Sequence, residues 1–223
     1  MCDENLMSVI EKRAVKTSEN LKRNNMDCYI AENAAEAKKI VESFLEPGMT
    51  VGVGGSATLN ECGIIDTLRS GNYKFLDRSG LTGDAIKKCY RDSLSADVFI
   101  CSSNAITENG ELYNVDGNGN RVAALCYGPD TVIVVAGCNK IVSDINEAVK
   151  RVKTIAAPAN THRLNCATYC REKGECMAYA SGNTTMTGGC RSENRICCSY
   201  VVTGYQRFKG RIKVVLVNEP LGY

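Results

Sequence analysis

Residues 51–59 read VGVGGSATL. Valines alternating with glycines suit a short buried strand, the glycine pair allows a tight turn, and Ser56 opens a helix-forming run. The segment predicts a strand over Met49–Val53, a turn, and a helix from Ala57 to about Leu68. The same alternation continues outward. Strands are expected at Tyr73–Leu76, at Asp97–Cys101, and at Thr131–Val135, the last rich in β-branched residues and suited to burial on both faces. Helices are expected at Gly83–Leu94 and Asp144–Ala156. The second is marked by Asp144 as N-cap, Glu147 three residues on, and a stripe of Ile145, Ala148, Val149, Val152 and Ile155. Ser199–Thr203 and Ile212–Val217 resume the strand pattern. Strands alternating with helices at this spacing predict an α/β fold: an open, mostly parallel sheet with helices on both faces.

Upstream, Met1 to about Asn24 reads as a polar helix with a thin apolar stripe of Leu6, Ile10 and Leu21. Ala37, Ile40, Val41, Phe44 and Leu45 fit a second helix that Pro47-Gly48 ends. Residues 1–46 are therefore read as a helical segment packing on the core, and 47–223 as the α/β domain. Asn114–Asn120 reads as a turn between short strands at 111–115 and 121–125. From 158 to 198 the pattern gives way to Asn, Thr, Gly and Cys, too long a stretch for an idle loop.

The chain has 223 residues, with 27 Lys plus Arg against 25 Asp plus Glu. That balance, with no basic run, gives no basis for nucleic-acid binding. Met1–Asn5 lacks the basic-then-apolar start of a secretory signal, and the longest apolar runs are strand-sized, so no membrane span is expected and a cytoplasmic location is. Thirteen cysteines are many for such a chain. Six fall within Cys166–Cys198, spaced C-x3-C-x5-C-x13-C-x6-C-C. An odd total without a signal sequence argues for metal or redox chemistry rather than a secreted disulfide framework. Four thiolates suit tetrahedral zinc or an iron–sulfur cluster, and the spacing does not choose between them.

Loops at the carboxyl ends of parallel strands converge on one edge, where ligands bind in such sheets. Gly52, Gly54, Gly55, Ser56 and Thr58 form a turn shaped for an anion, with glycines that admit close approach and hydroxyls that donate. It lacks the Lys of a phosphate-binding P-loop and the full dinucleotide fingerprint, although Asp77 stands where a ribose-binding acid would. After strand 97–101 comes Asn104-Ala105-Ile106-Thr107-Glu108-Asn109-Gly110, in which Glu108 is a candidate base or nucleophile. Gly137, Asn139 and Lys140 follow the next strand, with Lys140 a candidate for neutralising a phosphate or carboxylate.

Three segments, VGVGGSATL, NAITENGELYNVDGNGNRVAAL (104–125) and PDTVIVVAGCNKIV (129–142), in this order resemble the lactate-utilisation (LUD) domain family. The resemblance runs from about residue 45 to the C-terminus. It implies a fold like those of glucosamine-6-phosphate deaminase, ribose-5-phosphate isomerase and the CoA transferases, whose glycine turn and facing loops hold a phosphate or acyl-CoA. Glu108-Asn109-Gly110 matches the Glu-Asn-Gly motif that carries the nucleophile of class I CoA transferases. Asn139 stands where the family commonly has Asp. The family's Thr-Pro-Cys, Gly-Lys-Cys, Asp-Cys and Arg-Ile-Cys pattern falls on Cys170, Cys176, Cys190 and Cys197, with Tyr169 replacing the proline and an insertion near Ala178–Gly189.

The resemblance favours a redox-associated lactate-utilisation protein. It would bind a small anionic organic acid or phosphate-bearing ligand at the sheet edge and an iron–sulfur cluster, or zinc, at the four cysteines. Partner redox subunits or a homo-oligomer fit that setting. The alternatives are a CoA-transferase- or isomerase-like enzyme using Glu108 and Lys140, and a non-catalytic subunit that senses a metabolite or redox state.

Overall fold

The computed structural model describes residues 3–223; Met1 and Cys2, the start of the expected first helix, lie outside them. Its centre is a six-stranded, wholly parallel sheet of β1 (Asp27–Ala31), β2 (Thr50–Val53), β3 (Lys74–Phe75), β4 (Val98–Cys101), β7 (Thr131–Gly137) and β10 (Ile212–Val217). Their order is β1-β10-β7-β4-β2-β3. Successive residues of a strand point to opposite faces, and both faces are buried here. Phe99, Cys101, Val132, Val134, Ala136, Val214 and Leu216 pack on α1 (Glu4–Arg23) and α6 (Asn120–Cys126). Val51, Val98, Ile100, Ile133, Val135, Val215 and Val217 pack on α2 (Ala34–Glu42), α3 (Ala57–Glu61) and α4 (Ile64–Ser70).

A second, four-stranded sheet was not expected. It is built from β5 (Ala105–Thr107), β6 (Leu112–Asp116), β8 (Ile141–Val142) and β9 (Ser199–Thr203), ordered β8-β5-β6-β9. It continues the loops at the carboxyl edge of the first sheet, and its Ala105, Tyr113 and Val115 pack against α7 (Ile145–Arg151).

Several expectations change. Residues 1–46 are not purely helical, because β1 is the edge strand of the main sheet and pairs with β10 from Asp27↔Lys213 to Ala31↔Val217. Residues 121–125 are not a strand: Gly119, at φ +78°, starts helix α6 instead. The helix expected over 57–68 is broken at Gly63, at φ +68°. The irregular stretch expected from 158 opens in a helix, α8 (Ala157–Arg163). Ile155 is 51% exposed, not part of the buried stripe. The cause is local, since residues 152–156 form a π turn between α7 and α8, and its wider turn rotates later side chains off the α-helical stripe.

Candidate functional site

Chain order sets where the site lies. From β2 the chain runs outward through α3 and α4 to β3; from β4 it runs the other way, toward β7. A parallel sheet opens a crevice where neighbouring strands send their connections in opposite directions. Here that place is the carboxyl end of β2 and β4, where the Gly54 N–H donates to the Ile100 carbonyl at 2.9 Å.

A cavity of about 240 Å³ occupies this crevice. Gly55 and Ser56 line it from β2, Ser102, Ser103 and Asn104 from β4, and Lys140 from β7. Its wall holds five cationic side chains, Arg78, Arg121, Lys140, Arg163 and Arg195, against one carboxylate, Asp116. Asp116 is already engaged, accepting from the backbone N–H of Arg121 at 2.9 Å and of Val122 at 3.3 Å. The cavity therefore carries uncompensated positive charge, which favours an anion.

Lys140 is the floor. It is 2% exposed, and its Nζ donates to Thr58 Oγ1 at 2.8 Å and Ser102 Oγ at 2.9 Å. Burial, reinforced by Arg151 and Arg121, pushes its ammonium down to about 7. Arg121 is held by four acceptors: the carbonyls of Ser102 (3.0 Å) and Val115 (2.7 Å), and the Oδ1 atoms of Asn114 (2.5 Å) and Asn104 (2.9 Å). Gly54 makes room for it, since a Cβ there would stand 3.0 Å from Arg121 Cδ. Arg151, also buried, ties the Asn139 carbonyl (3.0 Å) to that of Asn104 (2.7 Å).

The structure gathers only part of the expected site. Gly55, Ser56, Asn104 and Lys140 line the cavity, and Thr58 supports Lys140 from behind. The glycine turn has less helix behind it than expected. Helix α3 has five residues, and Ser56 Oγ is occupied in capping Leu59 N–H at 3.3 Å. Gly52 is a packing glycine, because a Cβ there would meet Ser93 at 2.9 Å. Gly137 and Asn139 serve the C-terminal segment: a Cβ on Gly137 would stand 2.4 Å from Leu221 N, and Asn139 bonds Leu221 N–H (3.1 Å) and the Gly222 carbonyl (2.9 Å). Asp77 pairs with Arg69 at 2.9 Å rather than facing a ribose site.

Glu108 is elsewhere. It does not line the cavity but binds Lys16 at 2.7 Å and Arg13 at 2.9 Å. The Lys16 hydrogen bond, with Arg13 beside it, holds its carboxyl below the usual range. Asn109 and Gly110 join the same contact, their carbonyls each accepting from Asn24 Nδ2 at 2.9 Å. The Glu-Asn-Gly turn thus anchors α1. The nucleophile expected on the strength of those three residues has no counterpart in the geometry.

Behind the anion cavity lies a second, apolar one. Cys170, Cys176, Cys190 and Cys197 all line it, with Val152, Lys153, Ala157, Met177 and Tyr200. Val152, Ala157 and Cys197 line both cavities. Arg195 connects them: it faces the anion cavity while bonding the carbonyls of Cys190 (2.9 Å) and Cys197 (2.8 Å) and the Tyr200 hydroxyl (2.9 Å). Among the described residues, no three His, Cys, Asp or Glu side chains are gathered tightly enough to hold a metal ion. Cys170, Cys176, Cys190 and Cys197 carry free thiols, as do Cys28, Cys62, Cys89 and Cys101. Those in the main core are inert fillers, with burial pushing Cys28 and Cys62 up to about 11 and Cys101 up to about 12.

The molecule is thus a parallel α/β protein with a cationic cavity at its switch point and four cysteines behind it. The LUD domain family profile matches residues 14–217, and the chain belongs to that family. The match begins well before residue 45, in agreement with β1 being part of the sheet. No curated protein matches the chain significantly. Among solved structures it is similar to a DUF162 family protein from Deinococcus radiodurans, at 14% identity over 93% of this chain and 97% of that one, with a TM-score of 0.48. It is also similar to ribose 5-phosphate isomerase from Plasmodium falciparum, at 20% identity over 48% of this chain and 51% of that one, with a TM-score of 0.32. These likenesses are low, and the family assignment rests on the sequence match. No described helix is long and apolar enough to cross a membrane.

Proposed function

We propose that this LUD domain protein binds a small organic acid or phosphate-bearing anion in the crevice between β2 and β4. Directly behind it, Cys170, Cys176, Cys190 and Cys197 would hold an iron–sulfur cluster. The observation that carries the reading is the shared wall: four cysteines of the 166–198 stretch face one cavity, and that cavity abuts the one with excess positive charge. Four thiolates suit a cluster, with zinc the alternative. A zinc ion would need all four drawn to about 2.3 Å from a single point. A cluster carries its thiolates on separate irons and takes them further apart. The space between them now is about 20 Å³, so a cluster requires the flanking loop to move outward. That loop has only two helices of five and four residues.

The cluster would supply one-electron storage beside the anion. The chain's own residues do the rest. Arg121 and Arg195, fixed by carbonyls and a hydroxyl, present charge without reorganising. Lys140, near half-protonated at pH 7, can hold or release a proton at the anion. Arg78 and Arg163 close the cavity's cationic wall. A lactate-utilisation role in the cytoplasm, with electrons passed to a partner redox subunit, belongs to the same proposal.

Anaerobic purification with iron and sulfide assays and a visible spectrum tests it. A brown protein with matched iron and sulfide is expected. A colourless protein with one zinc per chain would sink the electron-transfer role.

A further inference from the structure

Lys153 is 3% exposed and lies on the π turn. Its backbone carbonyl accepts the N–H of Cys176 at 2.9 Å. Its Nζ donates to the Gly188 carbonyl and stands 5.9 Å from the centre of the Tyr200 ring. It also lines the cavity with all four cysteines. No described carboxylate lies within ion-pair distance of it; the described ion pairs involve other residues. An ammonium buried with one carbonyl and a ring face is costly unless negative charge comes to meet it.

A second buried polar group nearby lacks even a hydrogen bond. The Tyr113 hydroxyl is fully buried and has no hydrogen-bond partner. Its ring packs in the apolar cluster that contains Cys197 and Tyr200, and burial, with Tyr200 and Cys197 nearby, holds its pKa well above the ordinary phenol value. A buried ammonium with no described carboxylate partner, lining the cavity of four cysteines, marks a place where anionic acceptors belong.

We infer that Lys153 is the counter-charge of the four-cysteine site, offsetting the negative charge of the thiolates and holding up the reduction potential of what they bind. The inference rests on the cysteine site holding a cluster. Four thiolates leave any such centre with net negative charge, and reduction adds one more. A fixed cation in an apolar wall stabilises the reduced form more than the oxidised one, and so moves the potential upward. The π turn serves this placement, since the rotation that exposes Ile155 occurs within the turn that carries Lys153.

The test compares K153M, K153Q and K153R with the unsubstituted protein, purified anaerobically, by iron and sulfide content and by redox titration of the visible spectrum. K153M and K153Q are expected to keep the cluster and titrate at a more negative potential, with K153R close to the unsubstituted protein. Loss of at least half the iron in K153M and K153Q, with retention in K153R, also supports the charge. An unchanged potential in K153M, a K153R shift as large as that of K153M, or equal loss of iron in all three overturns it in favour of a purely structural tie to Gly188. An unsubstituted protein without iron overturns the cluster itself, and is seen before any variant is made.

Discussion

The two cavities share a wall but are built in opposite ways. The anion cavity is framed by strand ends, and its cations are already fixed: Arg121 by four acceptors and Lys140 by two hydroxyls. The cysteine cavity is closed by residues 164–198, which hold two short helices and few long-range hydrogen bonds. The first is preorganised by the sheet. Under the proposed function the second depends on an occupant, because a bound metal centre would contribute folding energy that a glycine- and asparagine-rich loop lacks.

The largest expected effect breaks the second region alone. Replacing Cys170 and Cys197 by Ser should abolish iron binding and lower hydrogen-exchange protection across 166–198 by on the order of 100-fold or more, with the main sheet unchanged. Protection lost equally in β7 and β10 would mean that the regions are not separable.

Next comes the first region. Arg121→Leu takes the guanidinium from the Ser102 and Val115 carbonyls and from Asn114 Oδ1, while Asn104 Oδ1 keeps the Val115 N–H, and should cost about 3 kcal/mol in denaturant unfolding. Iron content should not change.

Lys140 sharpens the contrast through pH. Its folded pKa, about 7, lies below its ordinary value of 10.5, and an anion favours the charged form. Above pH 7 binding must therefore take up a proton, and sulfate affinity should fall by roughly tenfold between pH 7 and pH 9. Calorimetry on K140M should give weaker binding at pH 7 and a flat profile above it. An unchanged slope in K140M would assign the proton elsewhere. By the same sign, the free protein gains stability as pH rises from about 7 toward 10.5.

The smallest effect concerns Glu108. Its ion pairs are near the surface, so Glu108→Ala should cost no more than about 1 kcal/mol and leave sulfate affinity intact. A loss of ligand binding would return the Glu-Asn-Gly turn to the site.

What could be read from the sequence follows from how each feature is encoded. The central strands β4, β7 and β10 are local apolar runs, and they were legible as such. Strand β1, DCYIA, is a half-exposed edge with a mixed pattern, and β5 and β8 have three and two residues, too few for periodicity to register. The apolar run at 121–125 suggested a strand because the helix start at Gly119 carries no side-chain cap. The cysteines were visible because six fall in one stretch. The cations were not: Arg78, Arg121, Arg163 and Arg195 are lone arginines, and only the crossover between β2 and β4 and the return of the cysteine loop bring them together. Arg195, between Cys190 and Cys197, was the one with a signal. Three matching residues at Glu108-Asn109-Gly110 say nothing about the helix packed against them.

The most direct measurement is sulfate affinity by calorimetry on anaerobic protein before and after iron is removed by a chelator. Because Arg195 is braced by the Cys190 and Cys197 carbonyls and lines the cationic cavity, emptying the cysteine site should weaken sulfate binding about 5-fold or more, a coupling of ordinary allosteric size. Equal affinity in the two forms would contradict a working wall between the cavities.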